Sequence, residues 1–115
     1  MKVSHQIKKF VTQKENGKVL IENELCDIYL KIGKRWMNGV NETCVVISSI
    51  AFDEKLRGKG IFAEMVNAIA AHTPHAAIYV ECIGNARLEA KLEREGWTRD
   101  EGKDVSYYKY CKNFS

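Results

Sequence analysis

The sequence predicts an α/β fold, helices packed against a mixed sheet, and three observations point to it. Asn38-Gly39 lies between two β-rich runs, the strongest short-range hairpin signal, because both positions tolerate positive φ. A helical stripe then separates the second of those runs from another, Ala76–Cys82, and a right-handed crossover makes these two strands parallel. A short helix and a final β-rich run complete the order helix, hairpin, helix, strand, helix, strand. With 115 residues, 45% apolar and 29% charged, the expectation is one globular domain over residues 1–115.

Each element has a local reason. Ser4 is suited to cap a first helix with Ile7, Phe10 and Val11 on one face, ending near Asn16-Gly17. Residues 18–25 read equally as strand or loop. From Cys26 to Trp36, Ile28, Leu30 and Ile32 alternate with Tyr29 and Lys31, as in a half-buried strand. Cys44–Phe52 is apolar on both faces for most of its length and is expected to be central. A polar stretch, Asp53–Arg57, leads through Gly58-Lys59-Gly60 into a helix from about Gly60 to His72. Its stripe is Phe62, Met65, Val66, Ile69 and Ala70, and Pro74 closes it. Leu88 and Leu92 mark a helix over Ala86–Glu95, with Gly96 as a left-handed cap and Trp97 just beyond. Val105–Cys111 reads as a strand.

Composition narrows the function. No apolar run approaches the roughly 20 residues that span a bilayer, and the N-terminus has no apolar leader, so a cytoplasmic protein without a membrane partner is expected. Four cysteines without a CxxC pair, and three histidines out of step with them, predict reduced thiols in the core and no metal. The net charge is +3, and its excess lies in residues 1–60, which carry 11 basic and 7 acidic groups. That is too weak for a dedicated nucleic-acid binder and suits one small polyanion.

The polyanion has an obvious place. Arg57-Gly58-Lys59-Gly60-Ile61-Phe62 joins the central strand to an amphipathic helix, where glycines admit a ligand to the backbone and free N–H groups and the helix dipole attract anions. A P-loop is ruled out, since neither glycine has the GxxxxGK context. Gly58–Ala63 satisfies GxGxxA, with Glu81 about twenty residues on. A dinucleotide site nonetheless fits poorly, because Asp53–Arg57 intervene after the strand and one βαβ unit is too little chain.

The segment Ile50–Phe62 resembles the acetyl-CoA signature of the GNAT superfamily of N-acetyltransferases, Gln/Arg-x-x-Gly-x-Gly/Ala after the fourth strand. Arg57 and Gly60 match, while Phe62 replaces the usual small last residue. Asn85, eleven residues before Gly96-Trp97, is similar to the Asn and Gly-Phe of the family's last helix, so the likeness runs from Cys44 to Trp97. With Ser106-Tyr107-Tyr108-Lys109, it looks closest to short, virus-borne members. The resemblance implies a mostly antiparallel sheet whose central parallel strands splay apart, and acetyl-CoA as cosubstrate. Backbone amides from Arg57 through Gly58, Lys59, Gly60 and Ile61 to Phe62 would take the pyrophosphate. Ile50, Ala51 and Phe52 would pair with the pantetheine arm like an added strand, with Asn85 beside it.

The implied reaction is attack of a primary amine, from a small molecule or a protein, on the thioester. A lysine-like amine of pKa ~10.4 is almost wholly protonated at pH 7, a handicap of roughly 4–5 kcal/mol unless a base assists. Glu81, the only carboxylate of its strand, is the candidate base. The family's usual tyrosine acid aligns with Leu92, so Tyr107, Tyr108 or Tyr110 must substitute, Tyr108 being the choice here, or the thiolate leaves unaided. Leu92 equally motivates an inactive acyl-CoA- or partner-binding module. A nicotinamide or flavin binder is the third reading. Trp36, Trp97 and the tyrosines suit an acceptor cleft, a homodimer seam or plain core packing.

Overall fold

The computed structural model describes residues 2–22, 26–52, 60–82, 85–101 and 105–114. In chain order the elements are α1 (Lys2–Val11), β1 (Gly17–Glu22), β2 (Cys26–Met37), β3 (Val40–Phe52), α2 (Ile61–His72), β4 (Ala77–Glu81), α3 (Ala86–Arg94), β5 (Thr98–Glu101) and β6 (Val105–Tyr110), followed by a 3-10 turn, Cys111–Asn113. The six strands form one sheet in the order β1-β2-β3-β4-β6-β5. Only β3 and β4 are parallel, and every other neighbouring pair is antiparallel.

The hairpin forms as its turn chemistry dictates: Asn38 and Gly39 have φ of 53° and 77°, the signs a type I′ turn requires. It is longer than expected, because β3 begins at Val40, not Cys44. Residues 17–22 resolve as a strand, with Val19 and Ile21 facing the core across from Leu30 and Ile28. Helix α1 starts at Lys2, so Ser4 lies within it rather than at its cap, and it stops at Val11. Its end is closed by Thr12 Oγ1–H donating to the Lys9 carbonyl at 3.0 Å. Strand β5 was not expected. Thr98-Arg99-Asp100-Glu101 has no apolar alternation, and it is an edge strand held by pairing with β6.

Alternation sorts the sheet into two faces. Ile28, Leu30, Ile32, Val45, Ile47, Ile78, Val80 and Tyr107 pack with Ile7, Phe10 and Val11 of α1, the predicted stripe of α2, and Leu92 of α3. At roughly 25 cal/mol per Å² of buried apolar surface, this cluster dominates stability. The opposite face carries a smaller cluster drawn from strands alone among the described residues: Met37, Cys44, Val46, Ala77, Tyr79 and Tyr108. Thr73, just past α2, ties the two long helices together by donating from Oγ1 to the Val11 carbonyl at 2.8 Å. No helix among the described residues is long and apolar enough to cross a membrane.

Candidate functional site

The two parallel strands part company at a defined rung. Their ladder runs Cys44↔Ala77, Val45↔Ile78, Val46↔Tyr79, Ile47↔Val80 and stops. Beyond it β3 stays with β2, from Ser49↔Tyr29 to Phe52↔Cys26, whereas β4 stays with β6 through Glu81↔Ser106 and the Cys82 N–H to Val105 carbonyl bond of 3.0 Å. A bulge assists the parting: Ile47 faces Leu30 and Ser49 faces Tyr29, leaving Ser48 as the extra residue that bends β3. The result is a wedge between the C-terminal ends of two parallel strands, where open α/β sheets receive ligands. Ile50, Ala51 and Phe52 form the wall on the β3 side.

Helix α2 begins at the same end. Gly60, at φ 72°, is its N-cap and makes no side-chain cap bond; the first intrahelical bond is Glu64 N–H to Gly60 O at 3.0 Å. A glycine turn suits that left-handed cap, and leaves the first helical N–H groups for an acceptor from outside the helix. The Phe62 side chain turns the other way. It is buried, with its ring 6.5 Å from that of Trp97, which explains a large residue where the resembled signature has a small one. Arg57, Gly58 and Lys59 lie outside the described residues.

Asn85 caps α3, its Oδ1 accepting from the Leu88 N–H at 3.0 Å. The far end of α3 is a full Schellman closure: Gly96, at φ 81°, donates to Glu93 O at 3.2 Å and Trp97 to Leu92 O at 3.1 Å. Leu92 is completely buried in the core.

Glu81 ends β4 beside the wedge, on the face away from the helices, and its side chain keeps a quarter of its exposure. It pairs with Lys31 of β2 at 3.8 Å. The alternation of β2 puts Lys31 on the outward face, but nothing in the sequence points to it as the partner of Glu81. Tyr108 shares the face, one antiparallel step diagonal to Glu81 and stacked on Tyr79 with ring centroids 6.4 Å apart. Tyr79 donates to Asp100 Oδ2, and burial together with that bond pushes its hydroxyl up to about 12. Tyr107 points to the helices, where its hydroxyl donates to Glu93 Oε1 at 2.7 Å; that bond, then burial, raises it to about 12. Cys82 is buried and burial pushes its thiol to about 12, so it holds no thiolate near neutrality. A hollow of about 570 Å³ lined by Glu42, His75, Tyr110 and Cys111 lies at the opposite end of β3 and β4, remote from these groups. No three His, Cys, Asp or Glu side chains converge as a metal site among the described residues.

No protein-family profile and no curated protein matches the sequence. Solved structures do match. A tyrosine-to-phenylalanine variant of the toxin AtaT, bound to the C-terminus of the antitoxin AtaR and acetyl-CoA, aligns with a TM-score of 0.64 at 17% identity, covering 78% of this chain and 61% of the other. A variant of KacT gives 0.61 at 15% identity, with 84% and 71% covered. NAA60 of Arabidopsis thaliana, in complex with a bisubstrate analogue, gives 0.54 at 14% identity, with 77% and 66% covered. The chain therefore spans about three fifths of the AtaT structure it matches. These neighbours share one architecture, the GNAT acetyltransferase fold, and this chain has it too.

Proposed function

From a chain with the GNAT fold, we propose an N-acyltransferase that moves an acetyl group from acetyl-CoA to a primary amine by direct attack in a ternary complex. The observation that carries this reading is the wedge between β3 and β4 with the glycine-capped N-terminus of α2 at the same end. A diphosphate fits the helix end, where N–H groups and the dipole favour negative charge. The backbone amides from Arg57 through Gly58, Lys59, Gly60 and Ile61 to Phe62 hold it in this reading. The pantetheine amides then run along Ile50, Ala51 and Phe52, taking the place of the strand that β4 ceases to be, with the Asn85 amide group alongside. Acetyl-CoA bound to AtaT supports the choice of cosubstrate.

In the reaction, the amine nitrogen attacks the thioester carbon, Glu81 takes the proton, and the C–S bond breaks. The thiolate is a competent leaving group, its thiol pKa being near 8.5. Tyr108 is the candidate acid for it, as the tyrosine of β6 nearer to Glu81 on that face, Tyr110 lying two residues farther along. The acceptor is a small-molecule or a protein amine, and the reading requires no metal.

One observation favours a second reading, an acyl-CoA-binding module without catalysis. Leu92 stands where the resembled family often has its tyrosine, and it is sealed in the core. Titration calorimetry with acetyl-CoA, paired with thiol release on a panel of amines, separates the two. Binding with turnover supports the enzyme, binding without turnover supports the module, and no binding removes both.

A further inference from the structure

We infer that the Ser48 hydroxyl is the side-chain donor to the acyl carbonyl oxygen of the thioester, an inference that rests on the proposed function. Three observations place it. Ser48 is the bulged residue of β3, directly after the last rung shared with β4, Ile47↔Val80. Ser49 faces Tyr29, on the outward alternation of β2 that also carries Lys31, while Ile47 belongs to the helix-side core. Ser48, one residue past Ile47, therefore sits at the bulge on the face that carries Glu81. Finally, Ser48 Oγ is buried and has no hydrogen-bond partner among the described residues. Interiors pair nearly all such groups, and the exceptions call for an explanation.

The chemistry of the neighbours selects the partner. The outer face next to Ser48 holds an ion pair, Lys31 and Glu81, so the incoming amine has a carboxylate to meet. A neutral hydroxyl is matched to the other end of the reacting group, an oxygen that is neutral in the thioester and gains charge as the nitrogen adds. When the C–N bond forms, the carbonyl electron pair moves onto that oxygen, and the Ser48 O–H hydrogen-bonds it. The pair returns as the C–S bond breaks and the thiolate departs, while the amine proton passes to Glu81. Ser48 forms no covalent bond. Its hydroxyl, unpaired in the free protein, acquires its partner with the substrate, so the donor stands in place before the charge develops.

The test needs no knowledge of the acceptor. Titration calorimetry compares acetyl-CoA with S-ethyl-CoA, a thioether of similar size that lacks the carbonyl. The unmodified protein is expected to prefer acetyl-CoA by about 3- to 10-fold, the worth of one neutral hydrogen bond. Ser48→Ala is expected to bind both equally, with Tm unchanged or raised because an unpaired buried hydroxyl is gone, and Ser48→Thr is expected to restore the preference. A Ser48→Ala protein that keeps the preference, or a parent that shows none, overturns the inference. So does a fall in Tm, which would give the hydroxyl a structural partner. Failure of the parent to bind either nucleotide strikes instead at the proposed function.

Discussion

Replacing Glu81 by Gln separates structure from chemistry at the wedge. The pair it breaks, Lys31 Nζ to Glu81 Oε1, spans 3.8 Å, with side chains 37% and 25% exposed. Coulomb's law at that distance gives about 1 kcal/mol in water and about 4 kcal/mol at an effective dielectric of 20. Solvent exposure and the entropy of holding a lysine bring the net worth below about 1 kcal/mol. Glu81→Gln should therefore lower Tm by no more than about 4 °C for a domain of this size. If the carboxylate is the base, thiol release with a lysine-like amine should fall about 10²- to 10⁴-fold at saturating acetyl-CoA. Lys31→Met breaks the same pair and keeps the carboxylate, so it should match Glu81→Gln in Tm while retaining most of the rate. Circular dichroism melts and a thiol-release assay on the three proteins suffice. A Glu81→Gln enzyme within threefold of the parent refutes the assignment, as does an equal loss of rate in Lys31→Met.

Three further outcomes are expected. Tyr107→Phe removes the 2.7 Å bond to Glu93 and should lower Tm in a melt, with turnover preserved. The folded state holds the Tyr107 proton up to about 12 against 10 unfolded, so this stabilisation is complete below pH 10 and lost as pH climbs through 12. Chemical denaturation across that interval should show a shallower decline in the variant than in the parent. Valine at both Gly58 and Gly60 should weaken CoA binding at least tenfold by calorimetry; at Gly60, φ 72° adds backbone strain of about 1–2 kcal/mol. Cys82→Ala should leave turnover intact, and in the native protein Cys44 and Cys82, both pushed to about 12 by burial, should resist a thiol reagent that labels the unfolded chain at once. Rapid native labelling of either would contradict the packing described above.

Some of the architecture was legible because it is written in local chemistry. Asn38-Gly39, Gly96, and the stripe from Phe62 to Ile69 act through backbone conformation and periodicity within a few residues, and the structure reproduces each. The anion site proposed at the loop from Arg57 to Gly60 draws on the same kind of local chemistry, glycines ahead of an amphipathic helix. Strand β5 was not, because Thr98–Glu101 has no pattern of its own and becomes a strand only when β6 offers it a ladder. The strand over 17–22 likewise depends on β2, which pairs with it.

The site divides in the same way. Residue order together with the resemblance selected the glycine loop, Asn85 and Glu81 as candidates. Tertiary structure alone decided that Glu81 meets Lys31, that Tyr107 turns to Glu93 and away from Tyr108, and that the Ser48 hydroxyl is buried unpaired at a bulge. Each depends on how elements apart in the chain are brought together, and for the strands that is set by register. A shift of one residue in register moves a side chain to the opposite face of the sheet, and register is settled only when all the neighbouring strands pack at once.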